Sequence, residues 1–335
     1  MPFDAFIFQS FGGPNKRSDV IPFLENVTRG RNIPIQRLQT VAEQYYMFDG
    51  KSPINQINLD IIERLTKAFK AAEIDLPIYF GNRNFEPYIS DTLSQMKTDG
   101  IKNAMTFVTS AYGSFSSCKQ YKLDIVNAQN ALGPEHPSVT KIRHYYSHPG
   151  FINPFIDASV TELGKLNDPL KAEFIFTAHS IPVAMSMNSP YLSQLNEAME
   201  LVIEGIASVS GFTPRHSLVF QSRSGPPSQP WLEPDISSHI RELASKGIKE
   251  VIVAPIGFIS DHLEVIYDLD ILAAETAREV GISMHRVATP SSSPQFIDMI
   301  VDLTLELLKP DKKPTTLTNS ISLKGCTSSC CTLSN

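Results

Sequence analysis

The apolar runs of this chain do not alternate, and that restricts its fold more than any other feature. Ala5-Phe6-Ile7-Phe8, Leu76 to Phe80, Ala104 to Thr109 and Val139 to Tyr145 read as β-strands, and so do Glu173 to Thr177, Leu218 to Gln221, Glu250 to Pro255 and Ser283 to Val287. A strand with one wet face alternates apolar and polar residues, whereas a strand covered on both faces does not. Helical patterns separate the runs. The longest early one spans Gln56 to Ala72, with Ile57, Ile61, Ile62, Leu65 and Phe69 on one face. Others follow at Tyr88 to Lys97, Cys118 to Ala131, Pro154 to Leu163, Gln194 to Ser208, Ile236 to Ala244, His262 to Glu279 and Pro294 to Leu308. Buried strands alternating with helices predict an α/β fold of two similar doubly wound, Rossmann-like parallel-sheet domains. The expected boundaries are 1–150 and 151–309. From Pro310 to Asn335, Lys, Thr, Ser and Pro dominate, which predicts a flexible C-terminal tail unless something clamps it.

Composition narrows the function classes. Among 335 residues, 42% are hydrophobic and 19% charged, so a sizeable core is expected and wholesale disorder is excluded. With 29 basic against 35 acidic residues the net charge is −6, which argues against binding nucleic-acid backbones. No apolar run reaches the roughly 18–20 residues of a membrane helix. Met1-Pro2-Phe3-Asp4 does not open a signal peptide, so a cytoplasmic protein is expected. Of four cysteines, Cys118 lies mid-chain, while Cys326, Cys330 and Cys331 crowd the C-terminal end. In a cytoplasmic chain that clustering points to metal or iron–sulfur ligation more than to disulfides.

The common cofactor motifs of α/β chains are missing. No G-x-G-x-x-G follows a strand, and no G-x-S-x-G elbow occurs. Gly50-Lys51-Ser52 imitates the end of a phosphate loop, but Tyr45 stands where its first glycine belongs. Chemistry instead collects at two strand ends, where open α/β sheets bind ligands. Phe174 to Ala178 runs into His179-Ser180-Ile181-Pro182. Pro255-Ile256-Gly257-Phe258 runs into Ser260-Asp261-His262-Leu263-Glu264, followed by Asp268 and Asp270. A histidine facing a row of carboxylates can hold a divalent metal and pass protons. Plainer readings stay open: His179 as a turn anchor, Asp261-x-x-Glu264 as a capping-box variant, and Asp268 and Asp270 as solvated surface. Trp231 fits either a core or a pocket wall.

Taken together, Ser10-Phe11-Gly12-Gly13-Pro14, Gly50-Lys51-Ser52-Pro53, Phe176 to Pro182 and Pro255 through Glu264 resemble the ferrochelatase family in order and spacing, over roughly Asp4 to Leu308. The runs Asn26 to Arg31, Gly81 to Asn84 and Ser117 to Tyr121 look most like its actinobacterial branch, which is associated with coproporphyrin III. The resemblance implies a chelatase-type fold and insertion of ferrous iron into coproporphyrin III with release of two protons, in haem biosynthesis. His179 matches the family's metal-binding, proton-accepting histidine, Glu264 its partner carboxylate, and Asp268 an acidic relay. Ser52 and Tyr121 match porphyrin contacts, while Arg29 and Arg31 suit a carboxylate-rich ligand. Cys118, Cys326, Cys330 and Cys331 have the count and distribution of a two-iron two-sulfur cluster. Transient contacts with other haem-pathway enzymes are also implied.

Departures from the family pattern accompany the match. Phe11 stands where some relatives carry a tyrosine that ligates product iron. Thr28 and Gln44 stand where those relatives carry arginine, and Leu272 interrupts the acidic row. The alternatives are a protoporphyrin IX ferrochelatase, a cobalt or nickel chelatase, and a non-catalytic haem or porphyrin carrier.

Overall fold

The computed structural model describes residues 2–30, 33–226, 228–318 and Cys331. The unalternating runs form two four-stranded parallel sheets. The first contains β1 (Ala5–Ser10), β2 (Ile78–Asn82), β3 (Asn103–Val108) and β4 (Ser138–Lys141), in the order β2-β1-β3-β4. The second contains β5 (Glu173–His179), β6 (Arg215–Gln221), β7 (Glu250–Ala254) and β8 (Ser283–Arg286), in the order β6-β5-β7-β8. Both halves therefore share one winding. The interior strands β1 and β7 are buried along their whole length, which is why their sequences carry no polar face.

Helices cover the sheets. In the first half α3 (Ile54–Ala71), α4 (Ile89–Thr98) and α5 (Gln120–Leu132) do so, while α1 (Val20–Val27) and α2 (Ile35–Tyr46) pack on each other in an apolar cluster of their own. After α6 (Pro149–Leu163), the second half has α7 (Val183–Met187), α8 (Tyr191–Ser210), α9 (Ile236–Ser245), α10 (Leu263–Val265), α11 (Ala274–Glu279) and α12 (Pro294–Leu308). The apolar stripe of α3 is buried at Ile61, Leu65 and Phe69, as its spacing predicts. The start of α9 is fixed by Asp235, whose carboxylate accepts the N–H groups of Ser237 and Ser238 at 2.9 and 3.3 Å. The helix expected from Cys118 begins earlier, as a π-turn at Phe115–Lys119. Ser114 and Ser117 cap that turn reciprocally.

One apolar cluster joins the halves, drawing Phe6, Phe8 and Phe107 from the first sheet and Phe174, Phe176 and Ile252 from the second. Buried Tyr112, just past β3, donates its hydroxyl to the carbonyl of Ile256, just past β7, at 2.8 Å. The carboxyl ends of the two sheets are thus tied to each other.

The tail expectation needs correction for its first residues. Arg143 grips Glu306 with two hydrogen bonds, at 2.7 and 2.9 Å, and donates to the carbonyl of Thr315 at 2.7 Å. The N–H of Thr315 returns to Glu306 at 3.0 Å, and that of Leu317 reaches the carbonyl of Ser147 at 2.9 Å. Asp302 pairs with Lys312 at 2.8 Å and accepts from His148 at 3.1 Å. The chain through 318 is therefore strapped to α12 and to the start of α6. Polar composition signalled flexibility, but these residues are held by charge-assisted bonds rather than by an apolar stripe.

Arg143 and Glu306 have side chains only 9% and 8% exposed, so removing one strands the other. Arg143→Ala is expected to destabilise the protein by about 3 kcal/mol or more, read as a lower urea-unfolding midpoint.

Candidate functional site

In each sheet the winding direction reverses once, between β1 and β3 and again between β5 and β7. Such reversals open a crevice beyond the carboxyl ends of the strands. His179 is the last residue of β5, and the segment Pro255 to Glu264 leaves β7 at the same edge. Gly257 lets the two strand ends touch. A Cβ there would lie 2.7 Å from the Cα of Ala178, and its N–H donates to the carbonyl of Thr177 at 3.0 Å.

The imidazole of His179 is oriented by its own backbone. Nδ1 lies 2.5 Å from the carbonyl oxygen of Ser180. A carbonyl only accepts, so Nδ1 carries a proton, and in the neutral ring the lone pair lies on Nε2. Nε2 sits 3.7 Å from a carboxylate oxygen of Glu264, and both side chains are about one-third to two-fifths exposed, at 34% and 42%. The Ser180 turn is fixed in its turn. Its N–H donates to the carbonyl of Gln221 at 2.8 Å, and its hydroxyl to that of Leu232 at 2.8 Å.

The helix expected over His262 to Glu279 is present, but Ile266–Ala273 is wound as a π-helix between α10 and α11. Wide turns of this kind are rare and often mark functional sites. Asp268 lies within it and accepts hydrogen bonds from Ser222 and, at 3.4 Å, from Gln221. Burial, helped by the charge of Glu264, pushes its carboxyl up to about 6. The capping-box reading fails. His262 caps α10 instead, its Nδ1 accepting the N–H of Val265 at 3.4 Å. Asp261 is drawn away to Arg286 at 2.7 Å, and Glu264 is left facing His179. Asp270 is no free solvated charge either, because it pairs with Arg286 at 3.3 Å.

The other predicted contacts gather at the carboxyl edge of the first sheet. Buried Ser52 packs on Gly13, where a Cβ would lie 2.7 Å from that of Ser52. Tyr121 is buried, with the guanidinium of Arg83 5.0 Å above its ring; Arg83 also pairs with Asp124 at 2.6 Å and lies 5.8 Å from the Phe11 ring. From Phe11 an aromatic chain runs through Phe23 to Tyr45. The phenol of Tyr45 is raised by burial and then by the Glu264 carboxylate, so this wall lies within electrostatic range of Glu264. Arg29 is exposed and held by Asn26, which itself donates to Tyr88 at 2.9 Å. Trp231 is half-buried against Gly225 within its own loop. Arg31, Cys326 and Cys330 lie outside the described residues; Cys118 and Cys331 are both buried. Among the described residues no three His, Cys, Asp or Glu side chains converge as a metal cage. No helix among them is long and apolar enough to cross a membrane.

The sequence reading missed α2, and with it Tyr45. The signal was thin. Leu38 and Ala42 are the buried residues of α2, but Ile35, Leu38, Ala42 and Tyr45 do keep helical spacing after Pro34. Gln221 and Ser222 carried no motif; their place beside Asp268 follows from the pairing of Gln221 with His179 across β5 and β6.

A family model described as Ferrochelatase matches residues 4–308. The chain is 47% identical over 313 residues to the coproporphyrin III ferrochelatase of Mycolicibacterium smegmatis, covering 92% of this chain and 91% of that protein. It is 46% identical over 317 residues to the ferrochelatase of Rhodopirellula baltica, covering 93% and 89%. Among solved structures it resembles the sirohydrochlorin chelatase SirB of Bacillus subtilis subspecies spizizenii in complex with cobalt. That match has a TM-score of 0.51 and 6% identity, over 94% of this chain and 100% of that one. It also resembles DR2241 of Deinococcus radiodurans, a multi-domain protein described as structurally similar to chelatases. There the TM-score is 0.52 at 12% identity, over 90% and 55%. At such identities the structural likeness concerns the fold alone.

The raised carboxyl of Asp268 has a measurable consequence. Between about pH 4 and pH 6 the folded chain keeps a proton that the unfolded chain has released, so stability falls as pH rises through that window. Asp268→Asn is expected to stabilise the protein by about 1–3 kcal/mol at pH 7.5 and to have little effect near pH 4, measured by urea unfolding.

Proposed function

This chain belongs to the ferrochelatase family, and from that membership we propose that it inserts ferrous iron into coproporphyrin III as a step of haem biosynthesis. Four iron–nitrogen bonds form, two pyrrole N–H bonds break, and two protons leave. The observation that carries the reading is Nε2 of His179 facing the Glu264 carboxylate at 3.7 Å, with Nδ1 held by the Ser180 carbonyl.

The parts of the site divide the work by their chemistry. The lone pair of His179 Nε2 accepts a pyrrole proton or steadies the incoming iron, since the Ser180 carbonyl commits the other nitrogen. Glu264 supplies negative charge opposite it, which favours both a cation and an imidazolium. Two protein donors orient a metal ion without caging it, as befits a metal that must pass on to four pyrrole nitrogens. Asp268, with a carboxyl near pH 6, takes and releases protons close to neutrality. Phe11 has no donor atom and therefore cannot ligate the product iron.

Porphyrin recognition in this reading uses Ser52, Tyr121, Arg29 and Arg31. Hydroxyls and guanidinium groups suit the four propionates of coproporphyrin III, and the actinobacterial relatives named for that substrate support the choice over protoporphyrin IX. The enzyme is taken to be cytoplasmic, with transient handover to other haem-pathway enzymes. Cys118, Cys326, Cys330 and Cys331 would supply the four thiolates of a two-iron two-sulfur cluster, a reading carried by the family resemblance; of the four, Cys118 and Cys331 are described, and both are buried. No step of iron insertion runs through it. Anaerobically purified protein should then show visible absorbance and, on reduction, an electron paramagnetic resonance signal; iron-free, colourless protein would remove the cluster from the reading.

The insertion reaction is tested by anaerobic absorbance with ferrous iron. Coproporphyrin III should be metallated faster than protoporphyrin IX, and His179→Ala should lose about 100-fold or more in rate while still binding free-base porphyrin. Preference for protoporphyrin would overturn the substrate. Haem binding without turnover in the wild type would leave a carrier.

A further inference from the structure

The segment that carries Glu264 is stapled from outside. Arg286 ends β8, where the register with β7 sets it opposite Val253, so its backbone belongs to the sheet. Its guanidinium meets Asp261 at 2.7 Å through Nη2 and Asp270 at 3.3 Å through Nε, while Nη1 donates to the carbonyl of Val287. Asp261 lies three residues before Glu264 and Asp270 six after it, so one rigid cation clasps both ends of the segment. Burial raises the Asp270 carboxyl, the charge of Arg286 lowers it, and that of Asp261 raises it, so the two aspartates repel each other across the guanidinium. Arg286 is only 16% exposed, so these pairs are weakened by solvent less than surface pairs are. The segment needs such support, because just past Glu264 it is wound as a π-helix over Ile266–Ala273, a form that rarely persists beyond a single turn.

We propose that Arg286 is a positioning residue for iron insertion. By holding Asp261 and Asp270 together, it fixes the intervening segment so that Glu264 meets His179. Its charge acts on the segment and not on the porphyrin. The inference rests on the ferrochelatase reading for its kinetic consequence, whereas the staple itself can be read without turnover.

Two measurements on the full chain test it. The first is amide hydrogen exchange over residues 261–273 in wild type, Arg286→Ala and Arg286→Lys. Exchange there should rise about tenfold in the alanine variant and less in the lysine variant, with the remainder of the chain unchanged. Unchanged exchange in the alanine variant overturns the staple. The second is a double-mutant cycle in the iron-insertion assay. Arg286→Ala should lower kcat about tenfold with KM for coproporphyrin III nearly unchanged, and should cost nothing further in a Glu264→Gln background. An equal loss in both backgrounds, a change in KM alone, or full activity of Glu264→Gln would each overturn the positioning role. A wild type that metallates no porphyrin would sink the ferrochelatase reading instead, and the exchange measurement would still decide the staple.

Discussion

Because β5 pairs in parallel with β7, with Phe176 opposite Ala254, both strands run out at one edge of the second sheet. The chain leaving β7 can then fold back against Ala178, since Gly257 has no side chain to hold it off. From that approach follow the meeting of His179 with Glu264, the path of the π-helix and the contact of Asp268 with Gln221 and Ser222. A slip of one residue in this pairing would turn every side chain of the strand to the opposite face and scatter the site. The buried, unalternating strands therefore set the register as well as supplying the core.

The two halves contribute different kinds of surface. The second sheet presents a histidine of fixed tautomer and carboxylates whose protonation depends on burial. The first presents aromatic rings and hydroxyls, with Arg83 over Tyr121 and Phe11. The Tyr112 bond to Ile256 and the shared apolar cluster keep these surfaces in register with each other. On the far side of α12, the strap around Arg143 and Glu306 secures the chain as it leaves the second half. Regular sheets and helices thus flank the wide π-turn of Ile266–Ala273, which bears Asp268 and Asp270 just past Glu264.

The sheet architecture was legible because burial on both faces leaves its mark in the interior strands, β1 and β7 above all. The long helices α3 and α12 were legible from their stripes. By contrast, α2 buries little beyond Leu38 and Ala42, too thin a stripe to register. His179 and Glu264 could be picked out as strand-end chemistry and matched to a family. Whether Asp261 and Glu264 formed a capping box could not be read, because Arg286, the residue that takes Asp261, lies 25 positions away. The strap through Leu317 was hidden for a similar reason. Its partners, Arg143 and Ser147, come from the first half of the chain.

By itself, then, the sequence determined the α/β class, the two matching windings, the edge at which chemistry collects and the family. Those properties follow from local burial patterns and short motifs, each contained in a few consecutive residues. Only the tertiary structure decided the tautomer of His179, the π-winding beneath Asp268, the raised carboxyl of that residue and the clasp of Arg286. Each of those depends on distances between segments far apart in the chain, and on how far packing removes water from the groups that meet there.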